Sequence, residues 1–147
     1  DMTERKTRNE KIILVPNRRA ETTVRALDAI ERKLGAEKFG TIYKSITVDN
    51  GTEFAMADEI ERSCLIDGQR TKVYYCHPYS SWERGSNENV NGMIRRKHPK
   101  GTDFSKVTPE EIAATEAWIN NYPRKIHGYK SAAAMFRQCL RELGLTA

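Results

Sequence analysis

The sequence has little of what builds a disulfide-stapled, zinc-bearing or membrane-embedded protein. It holds three cysteines, Cys64, Cys76 and Cys139, an odd number without a CxxC spacing. That excludes a disulfide framework or zinc ribbon and makes a reducing cytoplasm the expected compartment. His77, His98 and His127 share no metal-ligand spacing. No apolar run approaches the roughly 18 to 20 residues of a membrane span, and the opening DMTERKTRNEK is too charged for a span or a signal peptide. A glycine-rich phosphate loop, a nucleophile elbow and an HExxH helix are all missing, as are repeats and low-complexity linkers.

What is present suits a soluble globular chain of one domain: 147 residues, 38% apolar and 31% charged. The net charge of +5 is unevenly placed. Residues 1–70 carry 13 Lys/Arg against 13 Asp/Glu, whereas residues 71–147 carry 12 against 7. The whole excess lies in the second half, which points to an anionic partner there, most simply nucleic acid.

Periodicity gives the order of elements. EKIILVPN (Glu10 to Asn17) reads as a strand ended by Pro16, and AETTVRALDAIERKLGAEKFG as a helix with Val24, Leu27, Ile30 and Leu34 on one face, stopped at Gly35 or Gly40. YKSITVDNGTEF reads as a strand that breaks at Asp49-Asn50-Gly51. FAMADEIERSCL is predicted helical, with Ile60 and Cys64 on one face, and TKVYYCH is a further strand. GSNENVNGMIRRKH is predicted to be a helix capped by Ser86. VTPEEIAATEAWINNYP has Thr108 as cap, Pro109 in the first turn and Glu111 to close a capping box, and SAAAMFRQCLRELG is a last helix. The sum is an α/β layer arrangement with a helical tail.

Two carboxylates and a run of cations carry the chemistry. Asp49 sits where a strand ends, the place where open α/β sheets gather ligands; it could equally do no more than shape the D-N-G turn. Glu88 shares a helical stripe with Asn91, Gly92 and Arg95, either as part of a site or as a solvated face with a Glu88–Arg95 pair. Carboxylates brought together repel unless a cation joins them, and magnesium suits few carboxylates with phosphate oxygens and water. RRKHPK, with Lys106 and the later PRK, could track phosphates or form an ordinary basic face. Trp82 could stack on a base or anchor its loop. Tyr74 and Tyr75 are expected to pack within a strand, Trp118 to lie in the core, and Cys64 and Cys139 to be small buried apolar residues.

VDNGTEF, HPYSSWERGSNENVNGMIRRKHPKGTDF and NNYPRKIHGYKSA together closely resemble the catalytic core of bacterial insertion-sequence transposases of the insertion sequence 30 group, in the retroviral-integrase-like superfamily. The likeness covers nearly the whole chain. It implies an RNase H-like fold, a mixed sheet flanked by helices, and a DDE triad binding two Mg2+ or Mn2+ ions. It implies DNA as partner, cut at inverted-repeat transposon ends and joined through a 3′ hydroxyl to target DNA. Asp49 matches the second acidic residue and Glu88 the third; Asn87, Asn89, Asn91, Gly92 and Arg95 fall in the signature around that Glu, and Pro123, Arg124 and Lys125 match a later segment. The candidate DNA-contacting set is Trp82, Arg84, Asn87, Asn91, Arg95, Arg96, Lys97, Lys100, Arg124 and Lys125.

Thirty-eight residues separate Asp49 from Glu88, a few more than is typical of the group, and the excess is expected near SCLIDGQRT. The group's first Asp lies on a strand upstream of a segment like TERKTR, where this chain begins. The expectation is therefore an N-terminally truncated core over residues 1–147 with a helical extension over about 108–147. It lacks the first strand and most of the second, is inactive by itself, and completes its sheet in a homodimer or a strand-exchanged assembly. The alternatives are a non-catalytic DNA-binding or oligomerising remnant, a nuclease of the same fold, and an unrelated helical regulator with a basic face.

Overall fold

Four positions on one face of a helix, 24, 27, 28 and 31, decide how the middle of the chain packs. The computed structural model describes residues 1–77 and 85–145, with the backbone alone for residues 85–87. It divides into two compact units, one of Val15–Glu83 and one of Asp1–Leu14 with Arg84–Ala147. The expected mixture of helix and strand is present, as six α-helices and two small sheets among the described residues.

In the middle unit, α1 (Ala20–Leu34) ends at Gly35, whose φ of 87° suits a residue without Cβ and whose N–H donates to Glu31 O. Gly40, the other predicted stop, lies inside α2 (Ala36–Ile42). Val24 and Leu27 are buried as their spacing predicts, but Ile30 and Leu34 are only half-buried, and Asp28 and Glu31 take interior places. Arg70 is the cause. Its fully buried guanidinium donates to Asp28 Oδ1 (2.6 Å), Glu31 Oε2 (3.0 Å) and the Ile60 carbonyl (2.8 Å), and lies 5.5 Å from the centroid of the buried Phe39 ring.

Glu31 also accepts from the Cys64 N–H (2.9 Å) and the Ser63 hydroxyl. Burial alone would push its carboxyl up, but these donors and Arg70 outweigh it and hold the pKa at about 2. They thereby pin the loop between α3 (Ala57–Glu61) and β4 (Lys72–Tyr75), which closes on itself through Ser63 N–H to Gly68 O and an Arg62–Gln69 bridge. Here the sequence reading needs correction. The predicted FAMADEIERSCL helix is shortened to α3, and Cys64 lies in this loop, half-buried. The carboxylate and guanidinium demand for partners, not helix propensity, decides the course of those residues.

β3 (Ser45–Val48) runs parallel to β4, with Val48 opposite Tyr75. Val48 and Val73 are buried, whereas Tyr74 and Tyr75 are 55% and 40% exposed, contrary to the expected strand packing. The Tyr75 hydroxyl instead donates to the Phe54 carbonyl.

The other unit pairs β1 (Met2–Thr3) with β2 (Glu10–Lys11) in an antiparallel hairpin and adds α4 (Gly85–Lys97), α5 (Pro109–Asn121) and α6 (Ala132–Glu142). Val90, Met93, Ile112, Ile119 and Ala132 are its buried apolar residues. The predicted capping box stands at Thr108 and Glu111, and Ser131 caps α6. α4 starts at Gly85, so Ser86 lies inside the helix and is not its cap. The predicted strand EKIILVPN keeps only Glu10–Lys11, because its backbone donors go to α5: Glu10 N to Asn120 Oδ1 (2.7 Å) and Ile12 N to Glu116 Oε2 (2.9 Å). Cys139 and Trp118 are half-buried, not core. No helix among the described residues is long and apolar enough to cross a membrane.

Replacing Arg70 with methionine keeps volume but leaves two interior carboxylates without a counter-charge. The expected loss is ~3–5 kcal/mol of stability near neutral pH. In the parent chain Glu31, with its depressed pKa, contributes stability above the ordinary carboxylate range that is lost as pH falls toward 2. In the Arg70→Met variant acidification to about pH 4–5 is expected to restore stability, because a protonated Glu31 no longer carries buried charge. Urea midpoints measured from about pH 2 to 8 test both signs; equal midpoints for parent and variant at pH 7 would refute the role given to Arg70.

Candidate functional site

Asp49 follows the last residue of β3, at the carboxyl end of the parallel pair. Pairing continues past the strands through the Cys76 N–H to Val48 O (2.9 Å) and the Asn50 side-chain amide to Cys76 O (3.2 Å). Asn50 thus takes the place of a strand residue and holds the turn. Asp49 is half-buried, and its Oδ1 accepts from the Gly51 N–H at 2.9 Å. The turn-shaping role open to Asp49 in the sequence is therefore real, and it also fixes the direction of the carboxyl group.

Gly51 has a steric reason to lack a side chain. A Cβ there would stand 2.9 Å from Asp49 Oδ1 and 2.5 Å from Glu53 Oε2. Two carboxylates close on the same glycine, and Glu53 also forms an ion pair with Arg18 (3.5 Å). Glu53 is the residue the sequence reading missed. Its signal was only its place four residues after Asp49, in a turn where i and i+4 lie together.

Asp28, Glu31 and Cys64 also bring their ligand atoms within 4.8 Å of one another. Arg70 already neutralises that group from inside, and burial raises the Cys64 pKa, so it is a packing cluster. The oxygens at the end of β3 are the ones that suit a hard cation.

Glu88 belongs to the other unit, in the first turn of α4. Val90 and Met93 turn one face of α4 inward, which leaves Glu88, Asn91, Gly92 and Arg95 exposed on the predicted stripe. A Cβ at Gly92 would meet nothing within 4 Å, so packing does not demand glycine there and the face is open. Arg95, Arg96 and Lys97 occupy the last turn. An acid first and cations last complement the helix dipole, which by itself accounts for part of the arrangement. A Glu88–Arg95 pair would have to span two turns, about 10 Å along the axis, and no ion pair between them is formed.

The remaining candidates divide by exposure. Arg95, Arg96, Lys97, Lys100 and Lys125 are exposed, and Lys97 Nζ lies 4.7 Å from the centroid of the Trp118 ring. Arg124 is buried at 8% exposure. It donates to the Ile119 carbonyl (3.4 Å), and burial lowers its pKa while the negative charge of Glu10 opposes that shift. Its guanidinium serves the interior of its unit, unlike the surface role expected of it. The candidates Trp82 and Arg84 lie outside the described residues, as does the side chain of Asn87.

Glu10 is the other charged residue of that interior. It is fully buried, and burial pushes its carboxyl up to about 7 despite a hydrogen bond from the Thr3 hydroxyl (2.7 Å). The folded unit then binds this proton more tightly than the unfolded chain does. Stability from Glu10 is present at and below about pH 4.5 and falls as pH rises to about 7. The Glu10→Gln variant is expected to gain up to ~3 kcal/mol over the parent at pH 8 and almost nothing at pH 4. A gain independent of pH in denaturant titrations would contradict this account.

The chain is 46% identical over 105 residues to the transposase of insertion sequence element IS4351 of Bacteroides fragilis, a match covering 71% of this chain and 31% of that protein. It is 44% identical over 93 residues to the probable transposase of the insertion-like sequence element IS1161 of Streptococcus salivarius, covering 63% and 25%. It is 42% identical over 88 residues to the transposase InsI of element IS30A of Escherichia coli K12, covering 60% and 22%. No family model and no solved structure matches the chain. These identities place the chain in the class of insertion-sequence transposase sequences. Within that class the chain belongs with the insertion sequence 30 family, and it spans less than a third of the length of the relatives it matches.

Proposed function

We propose that this chain is part of the RNase H-like catalytic core of a DDE transposase that cleaves phosphodiester bonds at inverted-repeat transposon ends and joins them to target DNA. The observation that carries this reading is Asp49, fixed at the carboxyl end of the β3–β4 pair by the Gly51 N–H beside a second carboxylate, Glu53. Converging carboxylates repel unless a cation lies between them, and their oxygens are the hard donors that Mg2+ or Mn2+ prefers. Asp49 and Glu88 would be among the residues that hold the ions. Bound there, a pair of divalent ions supplies charge to the attacking and leaving oxygens of the phosphodiester.

The chain's own residues do the rest. The Gly51 N–H and the Asn50 clamp on Cys76 keep the Asp49 carboxylate from turning away. Asn91 and Arg95, exposed beside Glu88, reach a DNA strand laid along α4, and Arg96, Lys97 and Lys100 neutralise its phosphates. Phosphate contact gives affinity without sequence information, so recognition of the inverted repeat falls to other parts of the protein.

The test is a nicking and strand-transfer assay on labelled inverted-repeat DNA with Mn2+, comparing this chain with one extended upstream. Cutting and joining are expected in the extended form and are expected to fall at least a hundredfold in its Asp49→Asn and Glu88→Gln variants. An extended protein that binds DNA but never cuts, or cuts equally well as Glu88→Gln, would leave a non-catalytic binding role instead.

We also propose that the protein works as a homo-oligomer, since each two-stranded sheet leaves strand edges that invite pairing with another chain. Light scattering from 1 to 100 μM is expected to show a mass above the 16.8 kDa of one chain. A constant monomer mass would refute this.

A further inference from the structure

The Lys97–Trp118 contact is not accounted for by the cutting chemistry. Lys97 ends α4, and its ammonium covers the ring of Trp118 on α5; Trp118 in turn meets the edge of Tyr122, with ring centroids 5.8 Å apart and planes at 74°. Trp118 is half-buried and Tyr122 is 42% exposed, although both were free to be polar at the end of a helix. All three belong to one unit, so the cations at the end of α4 run directly into an aromatic strip. Ile126 and Tyr129 follow Tyr122 in the loop after α5, at 66% and 69% exposure.

The charge around the strip has one sign. Between Glu116 and Glu142 the chain carries four exposed Lys/Arg besides the buried Arg124 and no carboxylate, and between Glu88 and Asp103 it carries four and none. Exposed aromatic faces set among unopposed cations are what an unpaired nucleic acid strand needs: rings for the bases and ammonium groups for the phosphates. A duplex uses only the second, because its bases are already stacked on one another.

We propose that Trp118 and Tyr122 form a stacking platform for unpaired bases of single-stranded DNA, with Lys97 as the phosphate contact beside it. The lysine that covers the indole in the free protein is displaced by a base and moves to the flanking phosphate. This deepens the DNA-processing reading and rests on it: ends that are cut and rejoined must pass through frayed or single-stranded forms, and the platform holds such a strand.

Trp118 is also a reporter, since Trp82 is the only other tryptophan. In the 147-residue Trp82→Phe chain, a mixed-sequence 20-nucleotide strand at low salt is expected to quench Trp118 fluorescence, and its duplex to quench it much less. By anisotropy, Tyr122→Leu is expected to weaken single-strand binding about tenfold and duplex binding less than twofold, while Tyr122→Phe, which keeps the ring, binds like the parent. Single-strand binding without quenching, or an equal loss for both forms of DNA in Tyr122→Leu, would overturn the platform and leave the DNA reading intact. No binding of either form would overturn both.

Discussion

One buried guanidinium organises the middle unit. Arg70 stands just before β4 and is fully enclosed, so its charge must be answered from within the fold. Asp28 and Glu31 answer it from α1, the Ile60 carbonyl from α3, and the Phe39 ring from α2. Glu31 also holds the loop, its Oε1 accepting from the Ser63 hydroxyl and its Oε2, shared with Arg70, from the Cys64 N–H. Every element that borders the β3–β4 pair is thereby tied to one residue, and the pair sets the direction of Asp49. A carboxylate meant to act on a substrate has to be held against its own rotational freedom, and here that hold begins about twenty residues away in sequence.

The second unit reaches a similar result with an asparagine, an ion pair and a histidine. Asn120 exchanges two hydrogen bonds with the backbone of Glu10, and Glu116 takes the Ile12 N–H and the Lys11 ammonium. His98 donates through Nε2 to the Thr115 hydroxyl, whose own proton goes to the Glu111 carbonyl. This fixes the end of α4 against α5 and sets the tautomer of the ring. With Val90 and Met93 turned inward, the exposed stripe of α4 can carry Glu88, Asn91 and Arg95 without any of them being needed for packing.

The sequence was most legible where local chemistry decides structure. Thr108-Pro109 with Glu111 could hardly mean anything but a capped helix, and Asp49-Asn50-Gly51 had to break its strand. The α4 stripe was legible too, because two apolar positions suffice to orient a helix. Less legible were the positions where a distant partner overrides a side chain's ordinary preference. The interior places of Asp28 and Glu31 had no local signal, because nothing near them in sequence announces Arg70, and Arg124 reads as a surface cation until its burial is seen. Trp118 and Tyr75 erred the other way, since size and apolarity suggest a core while two-stranded sheets and a small helical unit have too little interior to enclose them. Glu53 escaped notice because a turn has no periodicity from which to read a face.

These differences bear on function in a consistent direction. Charges that turned inward at Asp28, Glu31 and Arg70 are matched among themselves and serve the fold, while Glu10 and Arg124 are withdrawn from the surface by burial. Removing them from the surface count leaves a plainer exterior. Carboxylates stand at the end of β3 and at the first turn of α4, with unopposed cations along the rest of α4 and beyond α5. Uncompensated exposed charge of one sign does nothing for folding and raises self-repulsion. Aromatic rings left half in water likewise forgo the burial that would have stabilised them. The proposed platform gives both a use on the same unit, because nucleic acid is a polymer that offers an anionic backbone and stacking faces together.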